Sequence, residues 1–281
     1  MKVLVTGANG MLGSMLVKQL SLEPTFTPLA ATHAELDITN APAIETYLDQ
    51  HQPDVVVNCA AYTNVEKAED EPEQSNIVNG TAVGILAEIV AQRNIKFIHI
   101  STDYVFGQND PPGYFETDQP NEPLNQYGKS KLLGEQLVQQ KNPNAYIART
   151  SWVFGPGRKN YIDTMIMLSE TRTELNIVDD EHGVPTYTSD IASQLIHIMQ
   201  NFDKYTPGIY HIVSEGQCTR YEQSAAIYEL AGRQMKLNGM ALQDYPRKAK
   251  IPNYSILHNT KLPKLPHWRD AIAAYLATKA L

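Results

Sequence analysis

Apolar runs of strand length alternate with segments of helical periodicity along the first half of the chain. The apolar runs are residues 2–6, 26–32, 54–60, 95–100 and 145–149. The helical segments between them are residues 13–20, 43–50, 81–93 and 128–140. Runs that are apolar at almost every position are typical of strands buried on both faces of a parallel sheet. Strands that alternate with helices in this way predict an α/β fold of the Rossmann type, with a doubly wound parallel sheet.

Three glycines follow the first predicted strand and open the first predicted helix. Gly7, Gly10 and Gly13 have the spacing Gly-x-x-Gly-x-x-Gly, and Met11 and Leu12 lie inside the motif. Glycine allows a tight turn and a close approach of a pyrophosphate, and the helix N-terminus offers unpaired N–H groups to the anion. A tight turn without a ligand is the alternative, and the strand–turn–helix context disfavours it. We therefore predict that these five residues bind a dinucleotide.

The end of the second predicted strand bears on the choice of cofactor. A carboxylate there would bind the ribose diol of NAD and repel a 2′-phosphate. The strand ends at Thr32 and His33 without an acid, so we expect NADPH as the cofactor, with NADH also accepted. Asp37 and Ile38 follow, and we interpret them as adenine contacts. The residues expected along the middle of the cofactor, after the third apolar run, are Ala60, Ala61, Tyr62 and Thr63.

The alternation becomes less regular after Trp152. The elements predicted there are helices at 190–201, 221–231 and 267–280 and a strand at 208–213. We predict an NAD(P)-binding Rossmann domain over residues 1–151, to which part of 178–200 returns. Residues 152–281 are predicted to form mostly a smaller C-terminal α/β domain that binds the substrate.

Tyr127 and Lys131 lie four residues apart in a predicted helix, so their side chains share one face. A nearby cation favours the anionic form of tyrosine, so Lys131 and the oxidised nicotinamide would make Tyr127 a usable proton donor and acceptor. An exposed helix pair is the commoner origin of this spacing.

Thr102 follows a predicted strand at the carboxyl edge of the sheet, where open α/β folds bind ligands. Its hydroxyl can orient a substrate carbonyl or merely cap a turn. Together with the glycine motif, these residues indicate a hydride-transfer site.

Composition limits the classes of partner. The 281 residues are 42% hydrophobic and 19% charged, as in a globular protein, and the net charge of −8 argues against a nucleic-acid partner. Apolar runs stay well below the roughly 18 residues of a membrane span, and the first strand starts too early for a signal peptide. Cys59 and Cys218 lack metal-ligand or redox spacing. We expect a cytoplasmic location, no membrane partner and no metal.

Several linked motifs resemble the extended short-chain dehydrogenases, and among them the dTDP-4-dehydrorhamnose reductases. They are the glycine motif, Ser-Thr-Asp-Tyr-Val-Phe at 101–106, Tyr-Gly-Lys-Ser-Lys at 127–131 and Arg-Thr-Ser-Trp-Val-Phe-Gly at 149–155. The resemblance implies that a nucleotide-linked 4-keto-6-deoxy sugar is reduced with NAD(P)H and that Thr102, Tyr127 and Lys131 form the active triad. The substrate contacts that it implies are Thr102, Asp103, Tyr104, Trp152 and Asn160.

One C-terminal segment departs from the family pattern. The family usually has Arg-Pro-x-x-Ser-x-Leu-Asp there, whereas this chain has Ile251 at the position of the arginine and His258 at that of the aspartate. Recognition of the nucleotide, or the identity of the sugar, depends on how this segment folds.

Other functions share the scaffold. The chain could be a nucleotide-sugar epimerase, which holds NAD permanently, or a reductase of another keto-sugar. A non-catalytic regulatory subunit resembling the beta subunit of methionine adenosyltransferase is a further alternative, and the intact triad weighs against it. The expected partner is a nucleotide-sugar substrate, and the expected oligomeric state, if the protein is not a monomer, is a homodimer.

Overall fold

A parallel sheet of six strands forms the centre of the computed structural model, which describes residues 1–108 and 110–279. The strands, in chain order, are β1 (Lys2–Thr6), β2 (Thr27–Ala31), β3 (Val55–Asn58), β4 (Lys96–Thr102), β5 (Tyr146–Thr150), β6 (Val153–Phe154), β7 (Glu174–Val178), β8 (His182–Gly183), β9 (Thr186–Tyr187), β10 (Gly208–His211), β11 (Cys218–Thr219) and β12 (Lys236–Met240). The central sheet has the order β2-β1-β3-β4-β5-β10. The remaining strands form two-stranded pairs outside it.

Helices cover both faces of this sheet and build the C-terminal half. They are α1 (Met11–Leu20), α2 (Ala41–His51), α3 (Val65–Ala68), α4 (Pro72–Asn76), α5 (Ala82–Gln92), α6 (Gln126–Lys141), α7 (Tyr161–Ser169), α8 (Thr188–Gln200), α9 (Arg220–Leu230) and α10 (Trp268–Ala277). A π-helical segment, Ile77–Thr81, joins α4 to α5, and 3₁₀ turns occur at Asp103–Val105 and Leu242–Asp244. Within the described residues, none of the helices has the length and apolar character to cross a membrane.

The strand sequences are apolar because helices cover both faces of the sheet. Val3 and Val5 of β1 belong to the hydrophobic cluster that includes α1 and α8, whereas Leu4 between them belongs to the cluster that includes α2 and α5. The chain adds strands on opposite sides of β1, so the switch in strand order lies between β1 and β3. The sequence prediction of a Rossmann-type, doubly wound α/β fold is confirmed, and such folds bind ligands at the carboxyl ends of the strands near this switch.

Every strand and helix that the sequence predicts is present in the structure, but most of their bounds differ from the predicted ones. β1 has the predicted bounds, and the other predicted strands and helices start or end a few residues away. In the C-terminal half, α7, β7 and β12 and the two-residue strands β6, β8, β9 and β11 were not predicted. The last helix, predicted over 267–280, ends at Ala277, and position 280 lies outside the described residues.

The C-terminal half has a hydrophobic cluster of its own. It joins α7, α9 and α10 through buried side chains such as Ile162, Ile227 and Tyr275. The parallel pair of β7 and β12 lies beside α9. Helix α8, in contrast, packs against α1 over the central sheet, and Gln19 Nε2 donates to the carbonyl of Ser189 at 2.9 Å. The division into domains at residues 151 and 152 stays a prediction.

A buried ion pair fastens α6 to the central sheet. The Glu135 carboxylate accepts from Arg149 Nε and Nη2 of β5 at 2.9 and 2.6 Å, and both side chains are almost fully buried. The same carboxylate accepts from the Ser101 hydroxyl of β4 at 2.5 Å. The Arg149 guanidinium also lies 5.0 Å from the centre of the Phe106 ring. One carboxylate therefore sets the position of α6 relative to two strand ends.

We expect Glu135→Gln to lower the free energy of unfolding by about 3–5 kcal/mol, because the buried Arg149 charge then has no compensating partner. Urea unfolding followed by circular dichroism measures the change. Glu174→Gln is the control, since the exposed pair of Glu174 and Lys236 is screened by water and its loss should matter much less. Equal effects of the two substitutions would contradict the role given to the buried pair.

Candidate active site

A cleft of about 790 Å³ opens at the carboxyl ends of β1, β3, β4 and β5. The predicted cofactor residues that line it are Gly7, Gly10, Met11, Leu12, Gly13, Asp37, Ile38, Ala60, Ala61 and Thr63. The predicted catalytic and substrate residues that line it are Thr102, Asp103, Tyr104, Tyr127, Lys131 and Trp152. The structure thus brings together side chains from most of the motifs that the sequence singled out.

The glycine motif packs too tightly for side chains. Gly7 has a φ of +63°, and a Cβ on it would lie 2.8 Å from the backbone nitrogen of Ala60. A Cβ on Gly13 would lie 2.4 Å from the carbonyl oxygen of Gly7. Gly10 precedes α1 and offers no side chain to cap the first N–H groups of the helix. An open helix N-terminus beside a turn of bare backbone fits the pyrophosphate of a dinucleotide.

The end of β2 carries a carboxylate that sequence reasoning missed. Glu35 Oε2 accepts from the backbone N–H and the hydroxyl of Thr32, both at 2.8 Å. These hydrogen bonds, the backbone one first, lower the pKa of Glu35. His33 Nδ1 lies 3.8 Å from the Asp37 carboxylate, and both residues line the cleft. The strand itself ends without an acid, but the following turn brings one back to its end.

The first turn of α6 is held in place from three sides. The Asn125 side chain accepts from the Gly128 N–H at 2.8 Å and donates to the carbonyl of Lys250 at 2.8 Å. The Gln126 N–H donates to Glu69 at 2.8 Å. A Cβ on Gly128 would lie 2.2 Å from the carbonyl oxygen of Tyr104, so the helix start can approach the strand end only through a glycine.

The Tyr127 phenol lies beside the end of β4. Its ring meets the Tyr104 ring edge-on, with the centroids 6.1 Å apart. Burial raises the pKa of Tyr127 to about 12, hydrogen bonding with Thr102 lowers it, and the charge of Asp103 raises it. Lys131, which we expected to lower this pKa, is not among the groups that do so here. A phenol with a raised pKa stays protonated at neutral pH, which suits a proton donor.

Lys131 is buried and points into the sheet. Its Nζ donates to the carbonyl of Ile100 at 2.7 Å and lies 3.3 Å from His99 Nε2. His99 Nδ1 in turn lies 3.1 Å from Asn58 Nδ2, and Asn58 accepts from the Thr6 hydroxyl at 2.6 Å. Burial lowers the pKa of Lys131 to about 8, while the charge of Glu135 raises it. Burial also lowers the pKa of His99 well below its usual value, so the imidazole is neutral.

Asp103 is a buried carboxylate at the floor of the cleft. It accepts from the Thr102 hydroxyl at 2.9 Å, and its Oδ2 has no hydrogen-bond partner among the described residues. Burial raises the pKa of Asp103 to about 6, and hydrogen bonds from Ser255 and Thr102 oppose the rise. This oxygen is also shielded from water, so it is a buried acceptor with no donor among the described residues.

Trp152 reaches the cleft from a strained backbone. Its φ is +43°, in the left-handed region that residues other than glycine rarely adopt. A Cβ on Gly183 would lie 2.3 Å from the indole, so the ring occupies the space that this glycine leaves. The Arg220 guanidinium covers the ring at 3.4 Å from its centre. Sequence reasoning missed Arg220 and Gly183, because neither belongs to a motif.

Two predicted site residues do not line the cleft. Asn160 caps α7 instead, and its Nδ2 donates to the Gly155 carbonyl at 2.9 Å and to the Tyr275 hydroxyl at 2.8 Å. The Tyr62 hydroxyl donates to Glu71 at 2.8 Å, away from the glycine motif. The roles expected of Asn160 and Tyr62 stay predictions.

The segment that departs from the family pattern packs against other parts of the chain. Ile251 is buried with Val178 and Leu242, and the His258 imidazole contacts the carbonyl of Pro112. No cluster of three or more histidine, cysteine or acidic side chains suited to a metal occurs in the described part of the chain. The expectation that no metal is needed stays a prediction.

The chain is similar to known proteins over its whole length. The family model described as the RmlD substrate binding domain matches residues 1–280. The spore coat polysaccharide biosynthesis protein SpsK of Bacillus subtilis is 37% identical over 99% of this chain and 98% of its own length. The dTDP-4-dehydrorhamnose reductase of Aggregatibacter actinomycetemcomitans is 40% identical over 93% of this chain and 92% of its own. The solved structure of dTDP-4-dehydrorhamnose reductase from Bacillus anthracis in complex with NADP superposes with a TM-score of 0.94, at 31% identity and 99% coverage of both chains.

We expect the stability of the parent protein relative to a Lys131→Met variant to rise with pH. Burial lowers the pKa of Lys131 to about 8, whereas a lysine in the unfolded chain titrates near 10.4. Between these values the unfolded chain binds more protons at this site than the folded chain does, so raising the pH favours the folded parent. Below about pH 8 Lys131 is protonated in both the folded and the unfolded chain, so the folded parent keeps the full free-energy penalty of burying the ammonium.

Thermal unfolding of the two proteins at pH 7, 8, 9 and 10 measures the difference. Lys129→Met, which removes an exposed lysine from the same helix, is the control. A difference between parent and Lys131→Met that is constant over this range would rule out the burial of a titrating ammonium.

Proposed function

The chain belongs to the RmlD substrate binding domain family, and from that premise we propose that it is an NADPH-dependent reductase of a nucleotide-linked 4-keto-6-deoxy sugar. The substrate that we propose is dTDP-4-dehydrorhamnose and the product dTDP-L-rhamnose. The observation that carries the proposal is the shared cleft, in which the open glycine motif lies beside a protonated Tyr127 and the Thr102 hydroxyl. Reductases named for this substrate are 34–40% identical to the chain over nearly its full length.

The proposed reaction uses the groups at the floor of the cleft. NADPH, when bound, supplies a hydride to the C4 carbon of the keto-sugar. Tyr127 donates its phenolic proton to the C4 oxygen as negative charge develops there, and the Thr102 hydroxyl turns from Asp103 to donate its hydrogen bond to the same oxygen. Because that charge is largest in the transition state, these donors stabilise it more than the ground state. Asp103, which lies next to Thr102 in the cleft, is part of the proposal as a substrate contact.

Lys131 contributes through the sheet and not through a direct effect on the Tyr127 pKa. Its ammonium is anchored to the carbonyl of Ile100 and to His99, one helical turn beyond Tyr127. From this position it supports the helix face that carries the phenol, and it is within the cleft for contact with the nicotinamide ribose.

The cofactor side of the cleft supports the use of NADPH, with NADH also accepted. The related enzyme of Bacillus anthracis was solved with NADP. His33 lies exposed at the rim and offers an imidazole to a 2′-phosphate. Glu35 near the same strand end does not line the cleft, and its Oε2 accepts from Thr32, so it does not oppose the use of NADPH.

The proposal also covers the cellular location and the partners of the protein. We place the protein in the cytoplasm, where its two free cysteines stay reduced. A homodimer and the absence of a nucleic-acid partner are part of the proposal, the latter because of the net charge of −8.

Tyr127→Phe should lower turnover by about 10²–10⁴, because it removes the proton donor and keeps the aromatic ring. Binding of NADPH, measured by fluorescence titration, should change little. Tyr47→Phe, on α2 and not among the residues that line the cleft, serves as the control, with turnover near that of the parent. Turnover of Tyr127→Phe close to the parent value would eliminate Tyr127 as the general acid.

The substrate is tested by a coupled reaction. We expect the protein to form dTDP-L-rhamnose when it receives NADPH and dTDP-glucose together with the dehydratase and the epimerase that make the 4-keto sugar. Product chromatography and the loss of NADPH absorbance measure the outcome. Reduction of another keto-sugar, and not of this one, would overturn the substrate assignment alone. Tightly held NAD in the purified protein would indicate an epimerase, and NADPH binding without reduction of any keto-sugar would indicate a regulatory subunit.

A further inference from the structure

Arg220 lines the substrate side of the cleft, and the reaction proposed above does not use it. The antiparallel pairing of β8 with β11 places His182 opposite Thr219. Glu181 and Arg220, the next residues outward, therefore meet, and Arg220 Nε donates to Glu181 Oε1 at 3.2 Å. The Arg220 side chain is 19% exposed and that of Glu181 is 7% exposed. Two short strands thus bring this cation to the wall of the cleft.

The orientation of the Arg220 guanidinium is set by rings on either side. Its central carbon lies 3.4 Å from the centre of the Trp152 ring and 4.9 Å from that of Tyr161. Trp152 in turn occupies the space beside Gly183. Since stacking and the ion pair with Glu181 restrict the side chain, little conformational entropy remains to be lost when a ligand binds.

The Nη2 nitrogen of the Arg220 guanidinium is free to donate hydrogen bonds to a ligand. An arginine has five N–H donors. Nε donates to Glu181, and Nη1 donates to Gln223 at 3.0 Å. Nη2 makes no hydrogen bond to any of the described residues, although the side chain lines the cleft. Free donors on a planar, fixed guanidinium suit the oxygens of a phosphate.

The other cations of the cleft have different positions. Lys131 is engaged with the carbonyl of Ile100 inside the sheet. Arg158 lines the cleft too, but it follows Gly157, which lies beside Ser14 of α1, so its backbone is next to the helix of the glycine motif. Arg220 is the lysine or arginine that remains for the substrate side among the described residues that line the cleft. Because the chain has a net charge of −8, a cation at this wall of the cleft is the group that attracts an anionic ligand electrostatically.

The position of Arg220 fits the end of the sugar ring opposite C4, where the pyrophosphate is attached. Burial raises the pKa of Asp103 and of Tyr104, the two residues after Thr102, and the charge of Arg220 opposes this rise, so the guanidinium lies within electrostatic range of the catalytic floor. In a nucleotide-linked sugar, the pyrophosphate is attached to C1, across the ring from C4. With C4 at Tyr127, the inference requires the pyrophosphate to extend toward Arg220 and not toward the glycine motif.

We infer that Arg220 binds the pyrophosphate of a nucleoside-diphosphate-linked sugar, with Glu181 and Trp152 as positioning residues. The substrate class rests on the proposed function. The pyrophosphate of the cofactor has the same chemistry, but the glycine motif at the other end of the cleft provides for it. Binding of the nucleotide alone therefore tests Arg220 without any turnover.

Titration calorimetry of the NADPH-loaded protein with dTDP is the experiment. We expect Arg220→Met to raise the Kd for dTDP by about ten- to a hundredfold, as the loss of a charged hydrogen bond does. Arg220→Lys keeps the charge without the planar fork and should raise the Kd by less. The Kd for NADPH should stay unchanged in both variants. If Arg220→Met does not fold, the double substitution with Glu181→Gln, which leaves no buried carboxylate unpaired, replaces it.

Arg247→Met is the matched control. The Arg247 charge also lowers the pKa of Tyr104, but this residue pairs with Glu66 and does not line the cleft. An unchanged Kd for dTDP in Arg220→Met, or an equal rise in Arg247→Met, would overturn the inference. A loss of NADPH affinity in place of dTDP affinity would also overturn it, because the cofactor phosphate would then be the ligand. If dTDP binding depends on Arg220 while no keto-sugar is reduced, the inference stands and the proposed reaction fails.

Discussion

The Glu135 carboxylate is the constraint on which the arrangement of the active site depends. It accepts hydrogen bonds from Ser101 on β4 and from Arg149 on β5, and all three side chains are shielded from water. A carboxylate buried with its partners cannot shift without leaving charges unpaired in a medium of low dielectric constant, which is strongly unfavourable. Helix α6 therefore has one position on the sheet. Tyr127 and Lys131, in the first turns of the same helix, are fixed over the strand ends as a consequence.

The burial that fixes the fold also tunes the chemistry. It raises the pKa of Tyr127 and of Asp103, and it lowers that of Lys131 and of His99, because the interior disfavours charge of either sign. For Tyr127 the effect is useful, since a protonated phenol is the form that can donate. For Lys131 the effect is a cost to stability, and hydrogen bonds from its Nζ to the sheet offset part of it. The site is thus less stable than an apolar core of the same size would be.

The substrate wall combines the fit of neighbouring side chains with charge pairing, since Arg220 is also paired with Glu181. Gly183 leaves a space, the Trp152 ring fills it at the expense of a left-handed backbone, and the Arg220 guanidinium stacks on the ring. Strain of this kind persists only where surrounding contacts hold the residue in place, and it concentrates at binding sites. The pairing of β8 with β11 supplies those contacts. The C-terminal half therefore contributes a rigid surface to a cleft whose floor belongs to the central sheet.

The sequence by itself determined the sheet, the glycine motif and the residues at the strand ends, because each depends on local periodicity or on a conformation that only glycine allows. Apolar runs such as Val55–Asn58 indicate a strand wherever they occur, and Gly7 indicates a turn for the same local reason. The tertiary structure alone decided which distant side chains meet. Ser101 of β4 meets Glu135 of α6, Asn160 meets Tyr275 of α10, and Arg220 meets Trp152 through strand pairing. These contacts join residues whose spacing in sequence carries no period, so only the folded chain defines them.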